Sequence, residues 1–324
     1  MNKKLKKMLK RLGLFEPLKR FRYAIFPVSE EDRRSAIANY ARELGISLEF
    51  GAGQILVRKS NRQIQINSKH GVYLWDMINF FDYYHGAVVP KMMNDMAVVD
   101  YSRPALQRLS RSGIEFEFPS LPESDESTET YMGALDLRPG EVVFDLGAYS
   151  GASAYFLAKA VGPDGIVISF EPDEINFRYL QANIARHCLT NVRPVEKGIW
   201  SETGSLEFHA EGNMGSSAVL VKDRKSNVKV VHVLSLEDAA KIAGGKRVAA
   251  IKMDIEGAEV VVLRKAAEFL QKHQPRLVIE PHVVGGKMAT EEICQILRKN
   301  GYRIELLQQG IQNWPLIAAR PADL

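Results

Sequence analysis

Short apolar runs alternate with helical segments from residue 141 onward, and this alternation constrains the fold more than anything else in the chain. "EVVFDL" precedes "ASAYFLAKAV", and "IVISFEP" precedes "DEINFRYLQANIARHC". "VRPVEKGI" follows, then "VAAIKMDI" before "AEVVVLRKAAEFLQKH", and "RLVIEP" before "TEEICQILRKN". The helical segments carry one apolar face, with Ala154, Leu157, Ala158 and Val161 in the first and Phe177, Leu180 and Ile184 in the second. Strands that alternate with helices predict a parallel sheet covered by helices on both faces. Gly301 marks the C-terminal stop of the last helix. "YRIELLQ" and "WPLIAAR" then finish the chain as two further strands.

The first 130 residues have a different texture. Residues 29–44 predict a helix, and the alternation in 48–68 around "KSNRQ" predicts a small β-hairpin. The aromatic stretch 72–90, ending at Pro90, predicts a buried helix. Residues 119–130 are polar, acidic and Pro-containing, which predicts a linker and places the boundary of the core domain nearby. The expected organisation is a leader helix over 1–22, an α+β accessory region that helps choose the substrate over 23–125, and a catalytic domain over 126–324.

Charge is distributed unevenly. Residues 1–22 hold nine Lys or Arg against one Glu, so the remaining 302 residues of this +4 chain sum to about −4. Leu5, Met8, Leu9 and Leu12 form one apolar stripe among the lysines. Such a helix can lie on an anionic membrane surface, pack on its own domain, or touch nucleic acid. The acidic body and the lack of interleaved aromatics disfavour nucleic acid as a partner. No apolar run is long enough to span a membrane, and no apolar stretch of secretory type follows the basic start. The expectation is a cytoplasmic protein, peripheral on the inner membrane face if residues 1–22 bind lipid. Cys188 and Cys294 are expected to be reduced, buried thiols.

The site is predicted where the first strand runs out. In "VVFDLGAYSGAS", Asp145-x-Gly147-x-x-x-Gly151 occupies the turn between strand and helix. Ligands of such sheets bind beyond the carboxyl ends of the strands. Glycines there let the backbone bend and approach a ligand, and the next helix offers free N–H groups. Glu171 ends the second strand twenty positions after Gly151, the interval for an acid that binds a ribose diol. A carboxylate at Asp145 would repel a pyrophosphate but suits the ammonium and sulfonium of S-adenosylmethionine. Asp145 is therefore expected to organise the loop and face the amino-acid end of that cofactor.

Later segments narrow the assignment. "VFDLGAYSG", "SFEPDEINFRYLQANI", "VLSLED" and "AAIKMDIEGAEVVVL" followed by "QPRLVIE" together resemble the FkbM family of S-adenosylmethionine-dependent methyltransferases over roughly residues 130–320. The resemblance implies a class I methyltransferase, Rossmann-like α/β fold, with a seven-stranded, mostly parallel sheet whose last strand is antiparallel. It implies O-methylation of a sugar, glycan or secondary metabolite, often in polysaccharide biosynthesis. It also implies cofactor contacts from Ala148, Tyr149, Ser150, Pro172 and Gly198, beside those named above. Tyr149 stands where the family often has Asn, and Gly198 where a small Ala is common.

A hydroxyl acceptor needs a base. The candidates are Lys252, Asp254 and Glu256 at the end of the fourth strand, and Glu280 and His282 at the end of the fifth. Side chains at i and i+2 share a strand face, so Lys252 and Asp254 are expected to meet if the strand extends that far. Asp254 is expected near the methionine moiety or the acceptor, and Glu280 or His282 as the base or its orienter. Lys252 with Asp254 or Glu256 also fits a plain structural ion pair, and His282 a plain loop residue. Glu259 is expected to serve the next helix N-terminus. Asp254, Glu280 and His282 are a conceivable Mg²⁺ set, although a metal-free enzyme is the expectation. Tyr131 is expected to cover the cofactor, and residues 211–220 to form either a closing loop or a surface turn. Competing expectations are N-methylation of a small molecule or peptide, and a non-catalytic scaffold in a glycan-assembly complex.

Overall fold

The computed structural model describes residues 30–210, 212–213, 215–217, 228–309 and 314–322. The expected leader helix over 1–22 lies outside the described residues, as does part of the 211–220 loop. No described helix is long and apolar enough to cross a membrane.

The chain begins with helix α1 (Glu30–Glu43), followed by strands β1 (Ser47–Phe50), β2 (Gln54–Lys59) and β3 (Arg62–Asn67). β2 and β3 form the hairpin expected within 48–68, with their ends paired as Lys59 and Arg62. The expected single helix over 72–90 is instead a 3-10 turn (Ser68–Tyr73) and two short helices, α2 (Leu74–Asn79) and α3 (Phe81–Gly86). The break is at Phe80, whose φ of −127° and ψ of 40° lie outside the helical region. The broken path still buries Leu74, Met77, Ile78, Phe81 and Tyr84. Strands β4 (Lys91–Met93) and β5 (Met96–Tyr101) complete a five-stranded sheet in the order β1-β2-β3-β5-β4, and β6 (Ala105–Arg108) pairs with β7 (Glu115–Phe118).

Residues 119–130 are not a linker throughout. Helix α4 (Asp125–Leu135) starts within them, where the Ser124 hydroxyl accepts the Ser127 N–H and Asp125 and Glu126 occupy the first turn. The same acidic and hydroxylated residues that resemble a loop are those a helix N-terminus prefers.

The catalytic sheet contains β8 (Val142–Leu146), β9 (Ile166–Phe170), β10 (Val192–Val195), β14 (Val248–Met253), β15 (Arg276–Ile279), β18 (Tyr302–Gln309) and β19 (Trp314–Pro321). Its spatial order is β10-β9-β8-β14-β15-β19-β18, and β19 runs antiparallel to both neighbours. This is the seven-stranded class I methyltransferase arrangement expected above. Alternation along β8 sends Val142, Phe144 and Leu146 into one core layer and Val143 into the other, as a strand buried on both faces requires. Helices α5 (Ala152–Val161) and α6 (Glu174–Arg186) follow β8 and β9.

The expected third strand "VRPVEKGI" divides after Val195. Gly198–Ile199 (β11) joins β12 (Gly204–His209) and β13 (Val228–Leu234) in a separate sheet, followed by α7 (Leu236–Ile242). The helix expected after the fourth strand is two, α8 (Glu259–Leu263) and α9 (Ala267–His273). A two-residue pair, β16 (Val283–Val284) with β17 (Lys287–Met288), precedes α10 (Thr290–Lys299). Both cysteines are free, and Cys294 is buried. Cys188 is exposed rather than buried, because it takes the left-handed position (φ 51°) just past α6.

The N-terminal region shares its core with the catalytic sheet. Phe116 packs edge-on against Tyr155 of α5 at 5.6 Å, and Phe118 stacks near Tyr149 at 6.3 Å. Its buried cluster runs continuously into Tyr149 and Ala152.

Candidate active site

A cavity of about 400 Å³ opens at the carboxyl ends of β8, β9 and β14. Of the expected residues, Tyr131, Gly147, Tyr149, Glu171, Pro172, Gly198, Asp254 and Glu280 line it, together with Glu256. Asp145, Ala148, Ser150, Gly151, Lys252 and His282 do not. These last six build the walls instead.

Asp145 and Lys252 are direct cross-strand partners of β8 and β14. Both point to the same face and both are buried, with Lys252 Nζ 3.5 Å from Asp145 Oδ1. The Ser153 and Ser169 hydroxyls also donate to Asp145, at 3.2 and 3.3 Å. Asp145 therefore organises the loop but does not face a ligand. Lys252 meets Asp145 more closely than Asp254, which is 3.9 Å away because β14 ends at Met253. Burial opposes the charge on Lys252, yet Asp145, Asp254 and Glu123 outweigh it and hold the ammonium above its ordinary pKa. Lys252 donates to the Gly147 carbonyl at 2.6 Å. Its ammonium is thus engaged by Asp145 and the Gly147 carbonyl.

The two glycines of the loop answer to protein neighbours. At Gly147 (φ 77°) a Cβ would lie 1.8 Å from the Asp254 carbonyl oxygen. At Gly151 (φ 88°) it would meet Leu180 Cδ1 at 2.7 Å. The backbone turns this tightly only without side chains.

Glu171 is buried at the end of β9. Its Oε2 accepts the Tyr149 N–H at 2.8 Å and its Oε1 the Asp173 N–H at 2.9 Å. Oε1 also accepts from the Asn176 side-chain amide at 3.5 Å, so the capacity left toward the cavity, which a diol hydroxyl needs, is on Oε2. Burial pushes this carboxyl up to about 8, against the pull of those N–H donors. Pro172, Gly198 and Ile199 continue the wall beyond it. Ala148 donates its N–H to the Phe170 carbonyl, and Ser150 offers its carbonyl to Asn183, while the buried Ser150 hydroxyl has no hydrogen-bond partner.

At the other end, Glu280 Oε2 accepts from the Tyr131 hydroxyl at 2.6 Å and from Gln309 at 2.5 Å. Both bonds land on one oxygen, leaving Oε1 for a third partner. Burial and then the Asp254 carboxylate push Glu280 up to about 7. His282 stands behind this wall. Its Nδ1 lies 2.9 Å from Glu259 Oε1, and its Nε2 is 3.6 Å from both Asp254 and Glu256. Burial alone would lower its pKa, but Glu256, Glu259 and Asp254 raise it well above the ordinary value. The ring is thus held among three carboxylates, which favour its charged form. Glu259 also accepts the Ile255 and Gly257 N–H groups at 3.2 Å, fixing the turn before its helix. Asp254, Glu280 and His282 each offer one atom within 4.8 Å of the others, close enough to share a cation.

Two cavity residues hold left-handed backbone without being glycine, Tyr149 (φ 47°) and Glu256 (φ 52°). Such strain concentrates where the surroundings need a side chain in an unusual place. At Tyr149 it aims the N–H at Glu171 and the hydroxyl at the Leu121 carbonyl, 2.7 Å away. The described part of 211–220 sits on the rim. Gly212 N–H and the Ser216 hydroxyl both donate to Asp173 Oδ2, and Asn213 accepts from the Tyr73 hydroxyl.

Several lining residues carry no local motif: Tyr73, Asp76, Tyr83 and Tyr84 from the N-terminal region, Glu123, and Gln309 near the C-terminus. Only their long-range placement reveals them, apart from Glu123, which the acidic composition of 119–130 includes.

Residues 145–304 match the methyltransferase FkbM domain family. A curated relative, 31-O-demethyl-FK506 methyltransferase FkbM of Streptomyces tacrolimicus, is 26% identical over 201 residues, covering 52% of this chain and 75% of that protein. Among solved structures, an FkbM methyltransferase from Methylobacillus flagellatus KT is 22% identical with a TM-score of 0.45. That match spans 58% of this chain but only 45% of the solved one. An O-methyltransferase structure from Thermotoga maritima is 15% identical with a TM-score of 0.41, over 68% and 78% of the two chains. The sheet order and the loop site define a class I methyltransferase domain. Residues 145–304 are thus similar to the methyltransferase FkbM domain.

Proposed function

We propose that this protein transfers a methyl group from S-adenosylmethionine to a hydroxyl oxygen of a sugar, glycan or secondary metabolite. The observation that carries this reading is the pairing of Glu171 and Glu280 across one cavity. Glu171 has acceptor capacity left for a ribose diol, and Glu280 has a free oxygen where an acceptor would enter. The residues fit the cofactor: an apolar strip of Phe170, Pro172 and Ile199 beside Glu171, and an acidic end suited to an ammonium and a sulfonium. S-adenosylmethionine supplies the electrophilic methyl group. The chain's own work is to align the acceptor oxygen with it and to take the hydroxyl proton. Glu280 Oε1 receives that proton while Tyr131 and Gln309 hold the carboxylate still. The His282 imidazolium supplies positive charge beside Asp254 and Glu256, the role a divalent cation would otherwise fill. Tyr73, Tyr83 and Tyr84, which also line the cavity, offer flat apolar faces and hydroxyls to a polyol. The Streptomyces tacrolimicus relative is, by its name, a methyltransferase for a 31-O-demethyl compound, an oxygen acceptor.

The acid-rich wall also favours a second reading, methylation of an amine, because carboxylates attract an ammonium. Calorimetry with S-adenosylmethionine should show binding by the intact protein, weakened in Glu171→Ala and lost in Gly147→Arg. A transfer screen with isotope-labelled methyl over glycans, alcohols and amines, read by mass spectrometry, then decides the atom. Label on nitrogen alone would replace the oxygen reading, and no cofactor binding would end both.

A further inference from the structure

Glu123 faces the cavity and takes no part in the chemistry above. It lies between β7 and α4, in the segment that joins the N-terminal region to the catalytic sheet. Its Oε2 is buried and has no hydrogen-bond partner. The Ser153 N–H, in the first turn of α5, pulls the pKa of the same carboxylate down. The nearest cation is Lys252, but Lys252 is already drawn to Asp145 and to the Gly147 carbonyl. A buried carboxylate oxygen without a donor is costly and rare in folded proteins. It calls for a donor that arrives from the cavity.

The fold fixes where that donor must be. Tyr149 donates its N–H to Glu171 and its hydroxyl to the Leu121 carbonyl, two residues before Glu123. One strained residue thus locates both acids relative to the same loop. Glu171 serves the ribose end, and Glu123 lies among Lys252, Asp145 and Asp254, toward the carboxyl end of β14. An S-adenosyl compound with its sugar on Glu171 would have its amino-acid end within the same cavity, which Glu123 also lines.

We propose that Glu123 binds the ammonium group of the cofactor's amino-acid end. This rests on the cofactor assigned under Proposed function. It gives the N-terminal region a direct hand in cofactor binding, because Glu123 precedes the catalytic domain's first strand. Burial pushes the Glu123 carboxyl up to about 7, and an ammonium beside it would favour its charged form.

Two probes separate the ammonium contact from the rest of the site. S-adenosylhomocysteine keeps the ammonium, and 5′-deoxy-5′-methylthioadenosine lacks the whole amino-acid end. Calorimetry should show Glu123→Gln losing at least about tenfold in affinity for the first probe, the scale of a charged hydrogen bond. Affinity for the second should stay within about twofold of the unaltered protein. Equal losses for both probes, or no loss for either, overturns the proposal while leaving the cofactor assignment intact. If the unaltered protein binds neither probe, the cofactor reading itself fails and this inference with it. Circular dichroism checks that the variant is folded, and Glu123→Asp, which keeps the charge but withdraws it by one methylene, provides the comparison if Glu123→Gln is not.

Discussion

The carbonyl oxygen of Asp254 occupies the space that a side chain at Gly147 would need, 1.8 Å from the ideal Cβ position. The loop after β8 and the end of β14 are therefore locked backbone to backbone, and the cofactor loop has one shape. Gly147→Ala must displace Asp254 and also hold a left-handed φ. We expect a loss of roughly 2–4 kcal/mol in chemical denaturation, combining left-handed strain with overpacking. Cofactor binding should fall with it. An unchanged denaturation midpoint would contradict the close approach.

Lys252→Met tests the buried pair with Asp145. It keeps the volume and removes the charge, leaving Asp145 buried with only hydroxyl donors. Breaking such a pair on one side costs roughly 3–5 kcal/mol. The double variant Lys252→Met with Asp145→Asn should recover a large part of that loss, because no isolated charge remains. Additive losses in the double variant would show that the pair is not coupled.

Glu280 predicts two opposite responses to pH. As a base it must be ionised, so turnover should rise as pH increases through about 7. Its folded pKa lies above the ordinary glutamate value of 4.5, so the folded state favours the protonated form. That stabilisation is complete below about 4.5 and is lost as pH rises through about 7. The protein should thus become less stable over the interval in which it becomes more active. Glu280→Gln should flatten that part of the stability profile and lower turnover by about 10²–10⁴. Retained turnover would move the base elsewhere.

The His282 imidazolium makes a further distinction. Dialysis against a strong chelator should leave turnover unchanged, since the positive charge beside Asp254 and Glu256 is part of the protein. His282→Gln should reduce it by removing that charge. Loss on chelation, restored by Mg²⁺ or Mn²⁺, would instead make Asp254, Glu280 and His282 a metal site.

Residues 1–22 predict adhesion to anionic vesicles. In flotation, the full chain should rise with phosphatidylserine-containing vesicles, and a chain lacking those residues should not. Equal flotation of the two would remove the membrane role.

Sequence pattern revealed the catalytic sheet because each of its strands is a short apolar run between strong turn and helix signals. The Glu171 position was equally legible, since it depends on strand length alone. The roles of Asp145 and Lys252 were not. Their cross-strand register decides that they face each other inside the sheet, and no spacing within one strand reports that. Gly147 and Gly151 were legible as necessary glycines, but the reason is Asp254 and Leu180, each far off in the chain. The sequence offers His282 as a base or its orienter, and its enclosure by Glu256 and Glu259 is a tertiary arrangement that spacing does not report. Glu123 sat in a stretch whose acids and prolines resemble any surface loop, and only tertiary packing shows that its carboxylate is buried.

Tyr149 ties the catalytic loop to the chain that enters it, through one hydroxyl and one amide. The two halves are consequently not interchangeable parts. A chimera that grafts another relative's N-terminal half onto this sheet would have to bring a matching acceptor for the Tyr149 hydroxyl. Otherwise the donor half would unseat the loop that lines the cavity, although none of that half's own strands belongs to it.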